Sequence, residues 1–155
     1  MIEFNSEISG LDNVGKTMLN LPTKMRTTIY SKALLAGGAV VRDRASQNVK
    51  SVVSSEASGV LAKNLRVYRL KKKRGWYRSG VMVRRGAVNK RKRDGNGQPV
   101  RVGLYGSVLE YGKRNQPPRP WLRSAYASQR GAAEQRIRQV ISKNLLSALE
   151  SAKKI

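Results

Sequence analysis

The sequence predicts one α+β domain, with helices at both ends and a small, mostly antiparallel sheet carrying an extended basic hairpin between them. Apolar residues recur with helical spacing near both ends of the chain. The middle instead holds short stretches rich in Val, Tyr and Trp, which are typical of strands. A chain of 155 residues is the size of one ordinary domain. We therefore expect a single domain over 1–155, with its basic sheet and loops in 66–130.

Two helices are predicted in the N-terminal part of the chain. Apolar residues at steps of three or four indicate a short first helix: Ile8, Leu11, Val14, Met18 and Leu21. The same step recurs after Pro22 and predicts a second helix from about Thr23 to Asn48. Its Gly37-Gly38 pair either weakens the helix or lets another backbone approach closely. The small, polar stretch from Ser54 to Gly59 predicts a loop.

Three strands are predicted next, over Leu65 to Leu70, Trp76 to Val83 and Val100 to Tyr105. Lys73-Arg74-Gly75 is a tight connection between the first two strands.

The second connection, from Gly86 to Pro99, is longer. Its Asp94-Gly95-Asn96-Gly97 stretch consists of residues typical of turns. With the four basic residues before it, this stretch predicts a basic hairpin that projects from the sheet. We expect the charged run Lys90 to Arg93 to lie at the tip of this loop, because four adjacent charges are not buried without partners.

A long C-terminal helix is predicted after the extended segment Gln116 to Pro120. Apolar residues at helical spacing mark its buried face. They are Leu122, Ala125, Ile137, Val140, Ile141, Leu145, Ala148, Leu149 and Ala152.

The charge is large and uneven. The formal net charge is +23, and residues 66–130 hold 19 basic and 2 acidic residues, a net charge of +17. Charge of this size favours a polyanionic partner, either nucleic acid or an anionic surface. Because the basic segment is interleaved with apolar and aromatic residues, it indicates folded strands joined by basic loops rather than a disordered tail.

Two residue types are missing, and their absence excludes whole classes of chemistry. The sequence has no Cys and no His, which excludes disulfides, thiolate sites, Ser-His and Cys-His catalysis and the common zinc geometries. We expect neither a metal nor a cofactor. The longest uncharged stretch of the first helical region, Ala33 to Val41, is too short to span a membrane. Met1 to Phe4 contains an acidic residue where a signal peptide has basic residues. No membrane partner is therefore expected.

Catalytic motifs are weak. Gly10 to Thr17 matches the phosphate-binding loop pattern G-x-x-x-x-G-K-[ST], but its inner residues keep helical apolar spacing, and the motif requires a strand before it. A surface lysine on a helix is the favoured interpretation of Lys16. Glu110 is nearly the only acidic residue in a basic region, and we expect it to form a structural ion pair with an Arg. We therefore predict no enzymatic activity and no catalytic residues.

Two basic runs are the candidate nucleic-acid contacts, because each Lys or Arg that displaces a counterion from phosphate adds sequence-independent affinity. They are Lys71, Lys72, Lys73 and Arg74, and Lys90, Arg91, Lys92 and Arg93. A merely solvated surface is the alternative. The nearby aromatics Trp76, Tyr77 and Tyr105 either stack on bases or pack within the strands, and packing is favoured.

Short motifs in order along nearly the whole chain resemble the head–tail joining or tail-completion proteins of long-tailed phages. Lys32-Ala33-Leu34 and Gly38-Ala39 resemble the pattern in the first helical part of that family. Ser58-Gly59-Val60-Leu61 resembles its Thr-Gly-x-Leu step, with Ser for Thr.

Two further motifs precede and begin the last helix. Val108 to Gly112 resembles an apolar-Glu-aromatic-Gly turn, with Lys113 in place of the customary Thr. Pro120 to Ala125 resembles a Pro-Phe-Leu-x-Pro-Ala helix start, with Trp121 for Phe and Ser124 for the second Pro.

The resemblance implies a non-enzymatic virion protein, made in the bacterial host cytoplasm and located at the neck. Such proteins form a homo-oligomeric ring at the head-proximal end of the tail, around genomic double-stranded DNA and between neck and tail-terminator proteins. One set of residues would set the turn that orients the last helix: Glu110, Tyr111, Gly112, Pro120, Trp121 and Leu122. The alternative is a free-standing, sequence-independent nucleic-acid-binding protein of ribosomal or nucleoid type.

Overall fold

The computed structural model describes residues 18–53, 55–73 and 75–152. In chain order the elements are α1 (Thr23–Val52), α2 (Ser55–Lys63), β1 (Leu65–Lys73), β2 (Trp76–Val83), β3 (Val88–Arg93), β4 (Pro99–Arg101), α3 (Val102–Tyr111) and α4 (Leu122–Ala152). Small antiparallel sheets lie between the two long helices in chain order, which confirms the α+β class. Most of the expected first helix, and the whole Gly10 to Thr17 motif, lie outside the described residues.

The long helices α1 and α4 pack against each other in antiparallel directions. Asn48, near the end of α1, donates from Nδ2 to Trp121 O at 3.1 Å and to Ser124 Oγ at 3.0 Å, where α4 begins. Earlier in α1, Gly37 lies against Ile137, farther along α4. An added Cβ at Gly37 would lie 3.1 Å from the carbonyl oxygen of Ala133. The Gly37-Gly38 pair therefore permits a close approach, and α1 continues through it without interruption.

Two buried clusters lie along this helix pair. The larger one is at the C-terminal end of α1, and its members include Val41, Val49, Leu61, Leu65 and Trp121. The smaller one is at the N-terminal end and includes Met18, Ile29, Ala33, Ile141 and Leu145. Apolar burial therefore extends along most of α1 and α4, as expected from their helical spacing of apolar residues.

The β1–β2 hairpin follows α1 toward the N-terminus of that helix. Ser79 Oγ donates to Leu34 O at 3.2 Å, and nearer the turn the Tyr77 and Thr27 hydroxyls are 2.9 Å apart. Leu65 pairs with Val83 at the inner end, and Lys73 pairs with Trp76 at the tip. The connection is as tight as expected, with Gly75 at φ 82°, a conformation that glycine adopts without steric cost.

The structure corrects the expected loop from Ser54 to Gly59, because α2 begins at Ser55. Val60 packs against the larger cluster, and Leu61 is fully buried in it. Burial of these two residues compensates for the low helix propensity of Gly59.

A second correction concerns the expected strand Val100 to Tyr105. Only Pro99–Arg101 is extended, and α3 begins at Val102. Val102, Gly106 and Leu109 are all buried, so their spacing is that of one helix face. In the described residues the strands form separate β1–β2 and β3–β4 sheets rather than one three-stranded sheet.

Replacement of Gly37 tests the close contact between α1 and α4. Ala normally stabilises a helix interior by about 1 kcal/mol relative to Gly, but its Cβ at this position would lie 2.5 Å from Ile137 Cγ1. Because the carbonyl of Ala133 also blocks movement, we expect Gly37→Ala to destabilise the fold by about 1–3 kcal/mol, measured by chemical denaturation.

The matched control is Gly131→Ala in α4, where an added Cβ meets nothing within 4 Å. This variant should gain up to about 1 kcal/mol in unfolding free energy. A Gly37→Ala protein as stable as the unmodified chain would contradict the close packing.

Candidate functional site: a helix junction and two basic surfaces

The carboxylate of Glu110 joins the end of α3 to the beginning of α4. Its oxygens accept the backbone N–H groups of Trp121 at 2.9 Å, Leu122 at 2.8 Å and Arg123 at 3.0 Å. These are donors that the first turn of a helix leaves without intrahelical partners. Glu110 is therefore the cap of α4, supplied from another helix, and its negative charge faces the positive end of the helix dipole.

Arg123 completes this junction with the expected ion pair. Its Nε lies 2.9 Å from Glu110 Oε1, and its Nη2 donates to the Glu110 carbonyl oxygen at 2.9 Å. The Glu110 side chain is 3% exposed, so its charge is matched by an ion pair and three backbone donors rather than by water. The sequence indicated the ion pair, whereas the cap required knowledge that α3 ends beside α4.

The remaining residues predicted to set this turn surround the junction. Gly112 ends α3 at φ 76°, where an added Cβ would lie 2.7 Å from the Gln116 carbonyl oxygen. Trp121 is buried and donates from Nε1 to Gly106 O at 3.0 Å. Tyr111 is half exposed, with the Arg123 guanidinium 5.2 Å from its ring centroid. Pro120 accepts from Ser124 Oγ at 2.6 Å.

The first predicted basic run lies at the tip of the β1–β2 hairpin. Lys71, Lys72 and Lys73 are exposed, and Arg74 lies outside the described residues. Trp76 follows at the turn and is 68% exposed. The expectation that it packs within the strand is therefore wrong, because the hairpin extends beyond the cover that α1 provides. We call Lys71–Lys73 with Trp76 the tip surface.

Tyr77, the next residue, is held by neighbours on several sides. Its ring centroid is 5.0 Å from that of Tyr30, and Lys72 Nζ lies 3.8 Å from the Tyr77 centroid. Burial alone raises the pKa of Tyr77, but hydrogen bonds with Lys72 and Thr27 and the charges of Lys72 and Arg26 outweigh it and lower the pKa. Tyr77 thus packs, as does Tyr105 against the larger cluster.

A groove separates α1 from the outer part of this hairpin. Its volume is about 230 Å³, and its walls include Ser31 and Leu34 from α1 and Arg69, Leu70 and Tyr77 from the hairpin. Ser31 is buried, and its hydroxyl oxygen accepts from Arg69 Nη1 at 3.4 Å. Lys71 and Lys72 also line the groove, which places cations beside apolar walls.

The second predicted basic run, Lys90–Arg93, forms most of β3 and not a loop tip. All four side chains are exposed, and we call them the strand surface. The tip is the following turn, in which Asp94 Oδ1 accepts the backbone N–H groups of Asn96 and Gln98, each at 2.9 Å. That turn lets β3 pair back with β4, so the basic run is extended along a strand.

The structure places the two basic surfaces far apart. The tip surface lies toward the N-terminus of α1, whereas Lys92 of the strand surface lines a small cavity with Val60, Leu61 and Tyr105 near α2 and α3. The strand β1, from Leu65 beside α2 to Lys73 at the tip, is nine residues long. At about 3.3 Å for each of the eight steps from Leu65 to Lys73, this strand alone extends about 26 Å. The two runs therefore do not form one compact anion site.

Two exposed or partly exposed carboxylates among the described residues form ion pairs with neighbouring arginines. Asp43 pairs with Arg42 and Glu134 with Arg130, at 2.7 and 3.0 Å. No group of three or more acidic residues suited to a metal ion occurs in this part of the chain. Glu110 contributes to helix capping, so its observed contacts are structural. None of its described contacts pairs it with another carboxylate.

Comparisons with protein-family models, curated proteins and solved structures find no match. Within the described ranges, no helix is both long and apolar enough to cross a membrane.

Removal of the Glu110 carboxylate tests the junction. We expect Glu110→Ala to reduce the unfolding free energy by about 2–4 kcal/mol, because a lost cap costs about 1 kcal/mol and each buried donor left unpaired costs about 1–3 kcal/mol. Urea denaturation measures this change. Asp43→Ala is the matched control, since that carboxylate is 63% exposed in its ion pair and should change stability by less than about 1 kcal/mol. Equal losses in both variants would contradict the capping role.

Ionisation of Tyr77 provides a pH test. Its pKa is lowered from 10.0, so Tyr77→Phe should remove a phenolate component with a midpoint below 10.0 from the absorbance titration. The contribution of this ionisation to stability is complete above pH 10 and is lost as the pH falls through the folded-state pKa.

Tyr105→Phe is the control for this titration, because burial raises the pKa of Tyr105 despite the opposing charge of Arg119. It should remove a component above 10.0 instead. Lys72→Gln should move the Tyr77 midpoint upward, and an unchanged midpoint would rule out the contact with Lys72.

Proposed function

We propose that this chain is a structural virion protein of a long-tailed phage. Its copies form a ring at the head-proximal end of the tail, which completes the tail and joins it to the head around the DNA path. The basic segments face that DNA or an acidic neighbouring ring. The neighbours are neck and tail-terminator proteins, and no catalytic step is part of this role.

The Glu110 junction carries the proposal. The resemblance to tail-completion proteins, which depends on the order and spacing of its motifs together, includes Val108 to Gly112 and Pro120 to Ala125. These motifs are joined by the hydrogen bonds from Trp121, Leu122 and Arg123 to the Glu110 carboxylate. The Glu of the first motif thus caps the helix that begins in the second motif. A turn of this kind requires both motifs together.

The charge distribution supports the same proposal. Lys90–Arg93 are exposed along β3 and stand in a segment with a net charge of +17 over 66–130. Lys and Arg in such an array bind phosphates without reading bases. Sequence-independent contact suits a component around a DNA path, because the DNA must move past it.

Imaging of assembled particles tests the ring. In virions whose genome encodes this chain, cryo-electron microscopy with the chain labelled should locate symmetric copies around the tail axis at the head-proximal end. A single off-axis copy, or absence from the particle, would overturn the proposal. Absence from the particle combined with strong duplex binding would favour the free-standing nucleic-acid-binding protein instead.

Duplex binding as a function of salt tests the strand surface. Replacing Lys90, Arg91, Lys92 and Arg93 by Gln should flatten the slope of log affinity against log salt by about 3.6, since each phosphate contact contributes about 0.9.

The matched control removes four exposed charges elsewhere. These are Lys50, Lys63, Arg136 and Lys143. Its slope should change by less than about 1. Equal changes in the two variants would indicate that total charge, and not β3, determines DNA binding.

A further inference from the structure

The tip surface and the strand surface differ in what surrounds their cations. The strand surface offers four exposed charges in succession on β3. The tip surface instead combines Lys71–Lys73 with Trp76, which is 68% exposed, and adjoins the groove between α1 and the β1–β2 hairpin. Leu34, Leu70 and Tyr77 line that groove beside Arg69, Lys71 and Lys72. The two surfaces therefore suit partners of different chemistry.

The size of the groove limits what it accommodates. Its volume is about 230 Å³, whereas sites for whole small molecules usually measure about 300–1,000 Å³. It also opens beside the exposed hairpin tip rather than enclosing a ligand. A groove of this size fits one or two side chains of a longer partner.

The positive charge of the groove favours acidic groups supplied by another molecule. None of its described lining residues is acidic. Four carboxylates elsewhere have partners of their own: Asp43 has Arg42, Asp94 its own turn, Glu110 the start of α4 and Glu134 Arg130. Electrostatic complementarity therefore favours an anionic partner at this groove.

The apolar groups favour an acidic protein over DNA as that partner. A phosphodiester backbone has no apolar side chain to place against Leu34 or Leu70. The exposed indole of Trp76 stacks on bases only where a duplex is opened or kinked. Trp and Arg, by contrast, are the residue types that most often anchor protein–protein interfaces, and Arg69 lies in the groove wall.

We propose that the groove between α1 and the β1–β2 hairpin, together with Trp76, docks an acidic segment of a neighbouring protein. Apolar side chains of that segment enter the groove, and its carboxylates meet Arg69, Lys71 and Lys72. The strand surface retains the contacts to DNA. This assignment rests on the proposed function in one respect, that the neighbouring protein is a component of the phage neck. Binding of an acidic segment to the groove is testable with purified protein.

The binding experiment uses the full chain and a glutamate-rich peptide interrupted by leucines. One control peptide has glutamine in place of every glutamate, and another has glycine in place of every leucine. We expect the first peptide to bind at least about tenfold more tightly than either control, because recognition needs charge and apolar burial together. Trp121 is 3% exposed and Trp76 is 68% exposed, so a blue shift of emission on binding should disappear in Trp76→Phe.

Two variants with equal loss of charge separate the surfaces. The tip variant, K71Q/K72Q/K73Q, should weaken peptide binding by about tenfold or more. It should weaken duplex binding less than the strand variant, K90Q/R91Q/K92Q, does. The strand variant should leave peptide affinity within about threefold of the unmodified chain. All of these side chains are exposed, and circular dichroism verifies that both variants fold.

Three results would overturn the inference. They are absence of binding by the leucine-containing acidic peptide, equal binding by its glycine counterpart, and a tip variant that loses duplex affinity while keeping peptide affinity. The last result would identify the groove as a phosphate site. Particle imaging tests the neck location independently, so failure of that proposal and failure of this one give different results.

Discussion

The fold depends on a buried carboxylate that meets the positive end of a long helix. Glu110 accepts three backbone N–H groups of the first turn of α4 and an ion pair from Arg123. Burial of a charge is costly unless hydrogen bonds and an opposite charge compensate for it, and here both do. Because α3 also packs under Trp121 through Gly106, this contact determines where α4 starts and therefore how it lies along α1.

The long, periodic elements were predictable from the sequence, while the short ones depended on tertiary contacts. Apolar residues at helical spacing predicted α1 and α4, and β1 and β2 were recognisable from their residue types. The segment after Val102 contains Gly103 and Gly106, which weaken a helix, so local sequence favoured a strand. Gly106 is nevertheless in α3 because a larger residue would meet Leu61 and Trp121, a requirement that local sequence does not reveal.

The candidate site was predicted in composition but not in arrangement. Lys71–Lys73 and Lys90–Arg93 stand out as basic runs, and their exposure agrees with the cost of burying charge. Their separation follows from the direction of the β1–β2 hairpin along α1, which contacts such as Ser79 with Leu34 determine. The exposure of Trp76 likewise depends on how far the hairpin extends beyond its support. Pairwise contacts of this kind leave no periodic signal in the sequence.

Gly37 and Gly38 give α1 the properties of a rigid spacer. An added Cβ at Gly37 would meet Ile137 of α4, and one at Gly38 would lie 2.5 Å from Val67 of β1. The adjacent residues Gly37 and Gly38 thus fix α1 against α4 and β1 at the same position along the helix. Sliding the helix by one residue, about 1.5 Å, would bring Ala36 or Ala39 into one of these two contacts. Because α1 has 30 residues and extends about 45 Å, it holds a constant distance between whatever binds at its two ends.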